Sequence, residues 1–365
     1  MGSIWPEAEP SDVLLLSGAE LVRLLDRDAL IAAMTGAMRS YSTGGAAVPL
    51  RTVMALPGER LRILASMPGY LSEGAGPVPS LHEQDGSERE PAAVAARVES
   101  REVLGAKLVS VYPDNTSRGL ESHYGLVVLF DAETARPLAV MDGTFITTAR
   151  TAAVSAVSVD LLARRDASVL AVIGSGVQAR AHLWALAGIR PFREARVHSR
   201  DLTKARALAD SAAPYLPFPV RAVEDAEQAV AGAEVVVTAT NSATPVLHRS
   251  WLSPGVHVVA VGSSTPGARE LDSESVRDAL VVVDSRTGAL AEAGDILTPL
   301  GEGVITPDHV YAELGELLAD RKPGRTSADQ ITLYKSLGLA VQDLAAARLA
   351  LDRATAMGAG TRVKL

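Results

Sequence analysis

The 365-residue chain contains no cysteine. That excludes disulfides, thiolate metal sites, iron–sulfur clusters and a cysteine nucleophile, and it suits a reducing cytoplasm, the expected location. A basic surplus is missing too. Lys and Arg number 35 against 43 Asp and Glu, a formal net charge of -8, so neither nucleic acid nor an anionic membrane is an expected partner. No run approaches the roughly 20 apolar residues of a membrane span. The opening MGSIWPEAEPSD has no basic stretch leading into an apolar one and does not read as a leader. There is no Walker A sequence, GxSxG elbow or HExxH helix. The seven histidines, His82, His123, His182, His198, His248, His257 and His309, are scattered without ligand spacing, so no metal site is expected. Small molecules remain as the default partner.

What is present divides by texture. Length alone suggests about two domains. The first forty residues read as helical, with Ser17 and Glu20 forming a capping box before Leu21, Leu24, Leu25, Ile31, Met34 and Met38 at helical spacing. From Pro49 the pattern changes to short β-prone runs, 50–56, 61–67, 103–112, 124–130 and 137–141, which predict a mixed or antiparallel sheet. Between Tyr70 and Val103 lies a Ser/Glu/Pro/Gly-rich stretch with a helix-like run over 92–101, expected as an exposed excursion. Helical periodicity returns over 145–164. From Ser168 strands and helices alternate, SVLAVIG, QARAHLWALAG, EARVHS, DLTKARALADSA, PVRAV and AEVVVTAT, with further strands in 255–262 and 279–284. This alternation demands a parallel sheet with right-handed crossovers. Helices are expected over 307–319 and 328–356.

The strongest local signal is Gly174-Ser175-Gly176-Val177-Gln178-Ala179, a GxGxxA between an apolar strand and a helix. Gly174 allows the tight turn, Gly176 lets a pyrophosphate approach the backbone, and Ala179 allows close helix-to-strand packing. The end of the next strand, Val197-His198-Ser199-Arg200-Asp201, sets cofactor choice. Ser199 and Arg200 favour NADP(H) over NAD(H), because a 2′-phosphate takes Arg and small hydroxyls. Asp201 has two readings, a ribose acceptor or the N-cap of DLTKARAL.

Lysine is rare, five residues against thirty arginines, so Lys107 within GAKLVSVYP stands out. Apolar neighbours suggest a partly buried ammonium that needs an anion, a substrate carboxylate being one candidate and a snorkelling strand-edge lysine the alternative. Arg150 interrupts a helix of small and apolar residues. It either clamps a carboxylate in bidentate fashion or pairs with a structural acid.

Taken in order, the strand lysine, the TARTAA helix and GSGVQA resemble the ornithine cyclodeaminase and μ-crystallin family. Further matching stretches are Val48-Pro49-Leu50-Arg51, Ser66-Met67-Pro68-Gly69-Tyr70, Tyr112-Pro113-Asp114-Asn115, Asp142-Gly143, Val261-Gly262 with Pro266-Gly267, Ala312-Glu313-Leu314-Gly315-Glu316 and Lys335-Ser336-Leu337-Gly338. The resemblance implies an α/β protein with a Rossmann dinucleotide-binding domain, 144–321, and an α+β substrate-binding and dimerisation domain, 1–143 with 322–365. It also implies a homodimer and hydride chemistry on small imino or amino acids. By position, Arg51, Met67, Lys107, Arg150 and Ser264 match substrate-binding residues, Lys107 and Arg150 being the candidate catalytic ones. Gly174, Ser175, Gly176, Val177 and Gln178 match the pyrophosphate site. Ser199, Arg200, Thr238, Thr240, Val261, Ser336 and Gly338 match the remaining cofactor contacts.

Two departures matter. Where the cyclodeaminases carry an aspartate this chain has Ser264, and where they carry a glutamate it has Ala65. Without those groups, deamination and cyclisation of a diamino acid lose their obvious acid and base. The resemblance therefore points to the ketimine-reductase and μ-crystallin branch, an NAD(P)H-dependent reductase of a C=N bond beside a carboxylate. Ornithine or lysine cyclodeamination, an alanine-type amino-acid dehydrogenase and a non-catalytic NADP(H)- and ligand-binding protein stand as alternatives.

Overall fold

The computed structural model describes residues 12–56, 63–73 and 101–365. The excursion expected beyond Tyr70, apart from its first and last residues, and the helix-like run over 92–100 lie outside the described residues. The chain divides into two units. One contains 45–147 and 343–365 together with the first segment up to Asp26; the other contains 27–44 and 148–342.

The first unit is built on an eight-stranded sheet. Its order runs Thr361–Lys364, Asp12–Leu16, Pro137–Asp142, His123–Phe130, Arg101–Val111, Ile63–Glu73 and Ala46–Ala47, with Thr52–Ala55 also paired to Ile63–Glu73. Four consecutive strands from Ile63–Glu73 to Pro137–Asp142 form an antiparallel meander, within a sheet that is mixed because Asp12–Leu16 runs parallel to Pro137–Asp142. The first forty residues are not wholly helical. Asp12–Leu16 is a strand, parallel to Pro137–Asp142 and antiparallel to Thr361–Lys364, because its apolar run is worth more buried in a sheet than on a helix face. The capping box does form: Ser17 starts the helix Gly18–Leu24, and Glu20 returns a carboxylate to the Ser17 N–H at 2.8 Å. Asp142 caps the helix Gly143–Leu162, accepting the Thr144 and Phe145 N–H groups.

Strand alternation gives this sheet two chemically different faces. Met67, Lys107, Val127 and Met141 form one cross-strand row, all buried. On the opposite face, Met54, Leu64, Ser110 and Tyr124 form a second row, and Thr52, Ser66, Leu108 and Leu126 a third. The large apolar side chains of both are about half exposed. The helix Ala340–Met357 lies against the buried face, since a Cβ on Gly105 would stand 2.7 Å from Leu344 Cδ2.

The second unit carries a fully parallel eight-stranded sheet, ordered Val220–Val223, Glu194–His198, Val169–Ile173, Val235–Thr238, His257–Ala260, Thr332–Lys335, Leu280–Val283, Val310–Glu313. Every strand expected from the βα alternation is present. Two expected helices are corrected. Over 307–319 the chain forms a single 3₁₀ turn, the strand Val310–Glu313 and the short helix Leu314–Leu318, and over 328–356 it forms the strand Thr332–Lys335 before the helix begins at Ala340. That strand inserts between His257–Ala260 and Leu280–Val283 and completes the parallel sheet, so the assignment of 322–342 to the first domain gives way to the second unit. The helix Gly143–Leu162 is long and apolar enough to cross a membrane, with a mean hydropathy of 1.3, which no run of the sequence had suggested. Within the fold it is a core helix, 72% buried.

A buried polar column crosses that core. His182 Nδ1 donates to the Gln178 carbonyl at 2.7 Å and Nε2 meets Ser155 Oγ at 2.9 Å, while His257 meets Thr332 Oγ1 at 2.9 Å and Ser158 Oγ at 3.3 Å. Desolvation holds both rings neutral. It lowers His182 to about 4 and, reinforced by the charges of Arg325 and Arg190, His257 to about 3. Unfolded, each would titrate near 6.5, so between those values the unfolded chain binds the extra proton and stability falls as pH falls. From pH 5.5 to 4.5 the His257→Asn variant should lose about 1.4 kcal/mol less stability than the wild type, one group's share of the slope. Urea unfolding at the two pH values measures it; equal slopes would show that His257 does not titrate as buried.

Candidate functional site

In the second unit, the residues of GSGVQA stand where the fingerprint needs them. Gly174 has φ +126°, and a Cβ there would lie 2.4 Å from the Ala239 carbonyl oxygen. Only glycine fits that turn. A Cβ on Gly176 would meet nothing within 4 Å, which leaves an open approach to the backbone. Gly176 is the N-cap of the ten-residue helix Val177–Leu186 and offers no side-chain cap, so the first-turn N–H groups remain for an anionic ligand. Gly176 and Val177 are exposed, Ser175 and Gln178 half-buried, and Ala179 is buried against the strand. These residues fit a dinucleotide pyrophosphate.

At the end of the next strand Ser199 accepts a hydrogen bond from Ser175 Oγ at 2.9 Å, and Arg200 is exposed. Asp201 is the N-cap of Leu202–Ala212, accepting from the Thr203 and Lys204 N–H groups. Of its two readings, the capping one is what the fold displays.

The strand ends beside this turn are fixed by a residue that the sequence reading did not single out. Glu270 is fully buried and accepts Thr238 Oγ1 at 2.8 Å, the Thr240 N–H at 2.6 Å and the Gly262 N–H at 2.7 Å. Thr238 therefore spends its hydroxyl inside the protein, and Val261 N–H donates to the Thr238 carbonyl. Asp295 accepts the Glu270 N–H at 2.7 Å and pairs at 3.0 Å with Lys335, both side chains fully buried. Burial pushes the Glu270 carboxyl up, and Lys335 opposes that shift. Ser264 sits exposed on the loop after His257–Ala260, whereas Ser263 donates to the Ala268 carbonyl.

Arg150 belongs to the same unit and is buried, with Nη1 donating to Gln342 Oε1 at 2.5 Å. Gly338 leaves room for it. At φ +85° and with a would-be Cβ 2.4 Å from Arg150 Nη2, position 338 tolerates no side chain. Asp284 ties that loop down by accepting the Leu337 and Gly338 N–H groups at 2.7 and 2.5 Å, and Ser336 N–H donates to the Ala260 carbonyl. Burial raises the Asp284 carboxyl, while the two N–H groups and the Arg150 charge hold it down.

In the first unit Lys107 occupies the buried row between Met67 and Val127. Its ammonium lies 3.1 Å from Asp343 Oδ2 and donates to Thr147 Oγ1 at 3.3 Å. Of the two readings of this lysine, the buried one holds: its side chain is 5% exposed. Arg51 directly precedes Thr52–Ala55, whose register sets Thr52 opposite Ser66. Continued by one residue, that register brings Arg51 opposite Met67, on the Lys107 side of the sheet and two strand spacings away, about 10 Å. Met67 is buried, as is Ala65. Arg51 and Lys107 thus share one face of one unit, and Arg150 lies in the other.

Four acids and an amide escaped the sequence reading: Glu270, Asp284, Asp295, Asp343 and Gln342. Three of them are polar residues in apolar stretches, Asp284 in VVVDS and Gln342 and Asp343 in LAVQDLAA, and that is the signal by which those three can be found.

Residues 77–358 match the model of the Ornithine cyclodeaminase/mu-crystallin family. The chain is 33% identical to the Delta(1)-pyrroline-2-carboxylate reductase of Bacillus cereus over 96% of its own length and 100% of the relative's. It is 35% identical to the ketimine reductase mu-crystallin of Mus musculus, covering 88% and 91%. Among solved structures, it is similar to Thermococcus litoralis Delta(1)-pyrroline-2-carboxylate reductase in complex with NADH and L-proline, at TM-score 0.86 and 38% identity over 96% of this chain and 100% of that one. A dinucleotide turn, a buried lysine and a buried arginine in the matched segment, and these likenesses over nearly the whole length place the chain in the ornithine cyclodeaminase/mu-crystallin family.

Proposed function

We propose that this protein is an NAD(P)H-dependent reductase of imino acids, acting on a C=N bond next to a carboxylate in a small cyclic ketimine or in an imine of a 2-oxo acid and an amine. The observation that carries the reading is the intact dinucleotide turn, in a chain that also buries Lys107 and Arg150. Relatives named as reductases of pyrroline-2-carboxylate and of ketimines support the substrate class. Ser264 and Ala65, in place of the two cyclodeaminase carboxylates, weigh against cyclodeamination.

Bound NAD(P)H supplies the hydride. As the family resemblance implies, Arg51 and Arg150 would each contact the substrate carboxylate by charge and N–H donors. Lys107 would hold a proton at Nζ for the imine nitrogen, the proton that balances the hydride. Catalysis is then mainly positioning and electrostatics. Loss of NAD(P)H absorbance with a preformed cyclic imino acid, independent of added ammonium, is the expected result. Strict dependence on free ammonium would indicate an amino-acid dehydrogenase, and binding of NADPH with no oxidation by any imino acid would indicate a non-catalytic protein. Lys107→Met should lower kcat by about 100-fold or more, the range of one general acid, with NADPH affinity within about twofold. Unchanged turnover would remove Lys107 from the mechanism.

NADP(H) is proposed over NAD(H). With Asp201 committed to a helix N-cap, Ser199 and the exposed Arg200 are the groups left at the strand end for a 2′-phosphate. Arg200→Ala should cost about 10- to 100-fold in kcat/KM for NADPH, the value of a charge-assisted hydrogen bond, and leave NADH nearly unchanged. Equal losses with both cofactors would refute the preference.

A homodimer is the proposed assembly. Met54, Leu64, Leu108, Tyr124 and Leu126 form a contiguous apolar face on two cross-strand rows, of the kind that marks an interface. A second copy of the chain is the proposed occupant, in line with the dimerisation role that the family resemblance implies for this unit. Light scattering should give twice the chain mass for the wild type and one chain mass for Leu108→Lys/Leu126→Lys. A monomeric wild type would exclude the assembly.

A further inference from the structure

Resting on that reductase reading, we propose that Asp343 is the positioning residue for Lys107, the carboxylate that fixes where the proton-bearing ammonium stands. Three observations within the first unit carry it. The Asp343 side chain is fully buried, and its Oδ2 lies 3.1 Å from Lys107 Nζ, whose own side chain is 5% exposed. The strand row around Lys107 is apolar, Met67 on one side and Val127 on the other, so those neighbours cannot orient an ammonium. Thr147 Oγ1 accepts from Lys107 at 3.3 Å while donating to the Gly143 carbonyl at 2.6 Å, a second fixed point on a rigid helix.

A lysine stem has four rotatable carbons, and its ammonium is a compact charge without the fork geometry of arginine. Precision must come from the partners. Asp343 supplies a fixed charge 3.1 Å from the ammonium, held on the opening turns of the helix Ala340–Met357, where a carboxylate is also favoured by the helix dipole. The chain lacks both cyclodeaminase carboxylates, at Ser264 and Ala65, yet keeps a carboxylate on this lysine from an element far along the sequence. The pair Lys335–Asp295 has the same chemistry with both side chains at 0% exposure.

The test is a double-mutant cycle with Asp343→Asn, Asp343→Glu and Lys107→Met. Asp343→Asn should lower kcat by about 10-fold or more, with the imino-acid KM changed less than about threefold, and Asp343→Glu should recover most of the loss. In the Lys107→Met background, Asp343→Asn should cost nothing further, because a residue acting only through Lys107 has nothing left to act on. Multiplying losses, or a wild-type kcat in Asp343→Asn, would overturn the assignment. A second readout needs no turnover. With only five lysines in the chain, ¹³Cε-lysine labelling resolves the Lys107 signal, assigned by its loss in Lys107→Met. Asp343→Asn and Asp343→Glu should both move it while the other four signals stay, which also shows that the variants fold. A Lys107 signal that does not move refutes the positioning role even if the wild type proves not to reduce imines, an outcome that would refute only the reductase reading.

Discussion

A positive charge removed from water must be answered by a negative charge or a strong acceptor at short range, and the polar interior of this chain is arranged around that demand. Lys107 is answered by Asp343, Lys335 by Asp295, and Arg150 by Gln342 together with the nearby charge of Asp284. None of these pairs is local in sequence. Each ties a strand or helix to a segment far along the chain, so the fold must be complete before any of the cations is affordable. In an unfolded or misregistered chain the same residues would simply be solvated.

Buried carboxylates do a second job at the ends of the parallel strands. Glu270 collects the Thr238 hydroxyl and the Thr240 and Gly262 N–H groups, and Asp284 collects the Leu337 and Gly338 N–H groups. Strand ends in a parallel sheet leave N–H groups without ladder partners, and these are the edges where ligands bind in such folds. A carboxylate that accepts several of them replaces solvent as partner and sets the loops in one conformation. Because Ala239 lies between the two threonines and crowds Gly174, the shape of the dinucleotide turn is coupled to where Glu270 holds its neighbours. Gly262 is held in the same way, since a Cβ there would collide with the Thr240 carbonyl and with Glu270 itself.

Much of this was legible in the sequence, for reasons that differ between residues. The strands Val169–Ile173, Val235–Thr238, His257–Ala260 and Leu280–Val283 could be read because a parallel strand buried on both faces is a near-continuous apolar run, and the GxGxxA turn because its glycines answer local backbone demands. The capping box at Ser17 and the N-cap at Asp201 were visible for the same reason: both interactions close within three residues. Thr332–Lys335 was hidden, since four residues next to a helical pattern carry little period of their own, and what makes them a strand is pairing with His257–Ala260 and Leu280–Val283. Asp12–Leu16 was absorbed into the helix that follows it by the same ambiguity of short apolar runs. Partners were less legible still. Lys107 announced itself as a charge among apolar residues, but nothing near it in sequence names Asp343.

That asymmetry bears on how the chemistry is read. A matched motif supplies the identity of the reacting groups, whereas their charge states and directions are set by residues that no motif includes. Judged from aligned positions alone, this chain has lost two carboxylates and retained an arginine and a lysine, which describes a weakened cyclodeaminase as well as it describes a reductase. Judged from contacts, its lysine is in a carboxylate-bound, apolar-walled position, and its arginine is pressed against a glycine that admits no substituent. A reductase of a carboxylate-bearing imine asks for no base to abstract a proton from a diamino acid. It asks for cations held still beside a proton, and held still is what Asp343, Gln342 and Gly338 together make of Lys107 and Arg150.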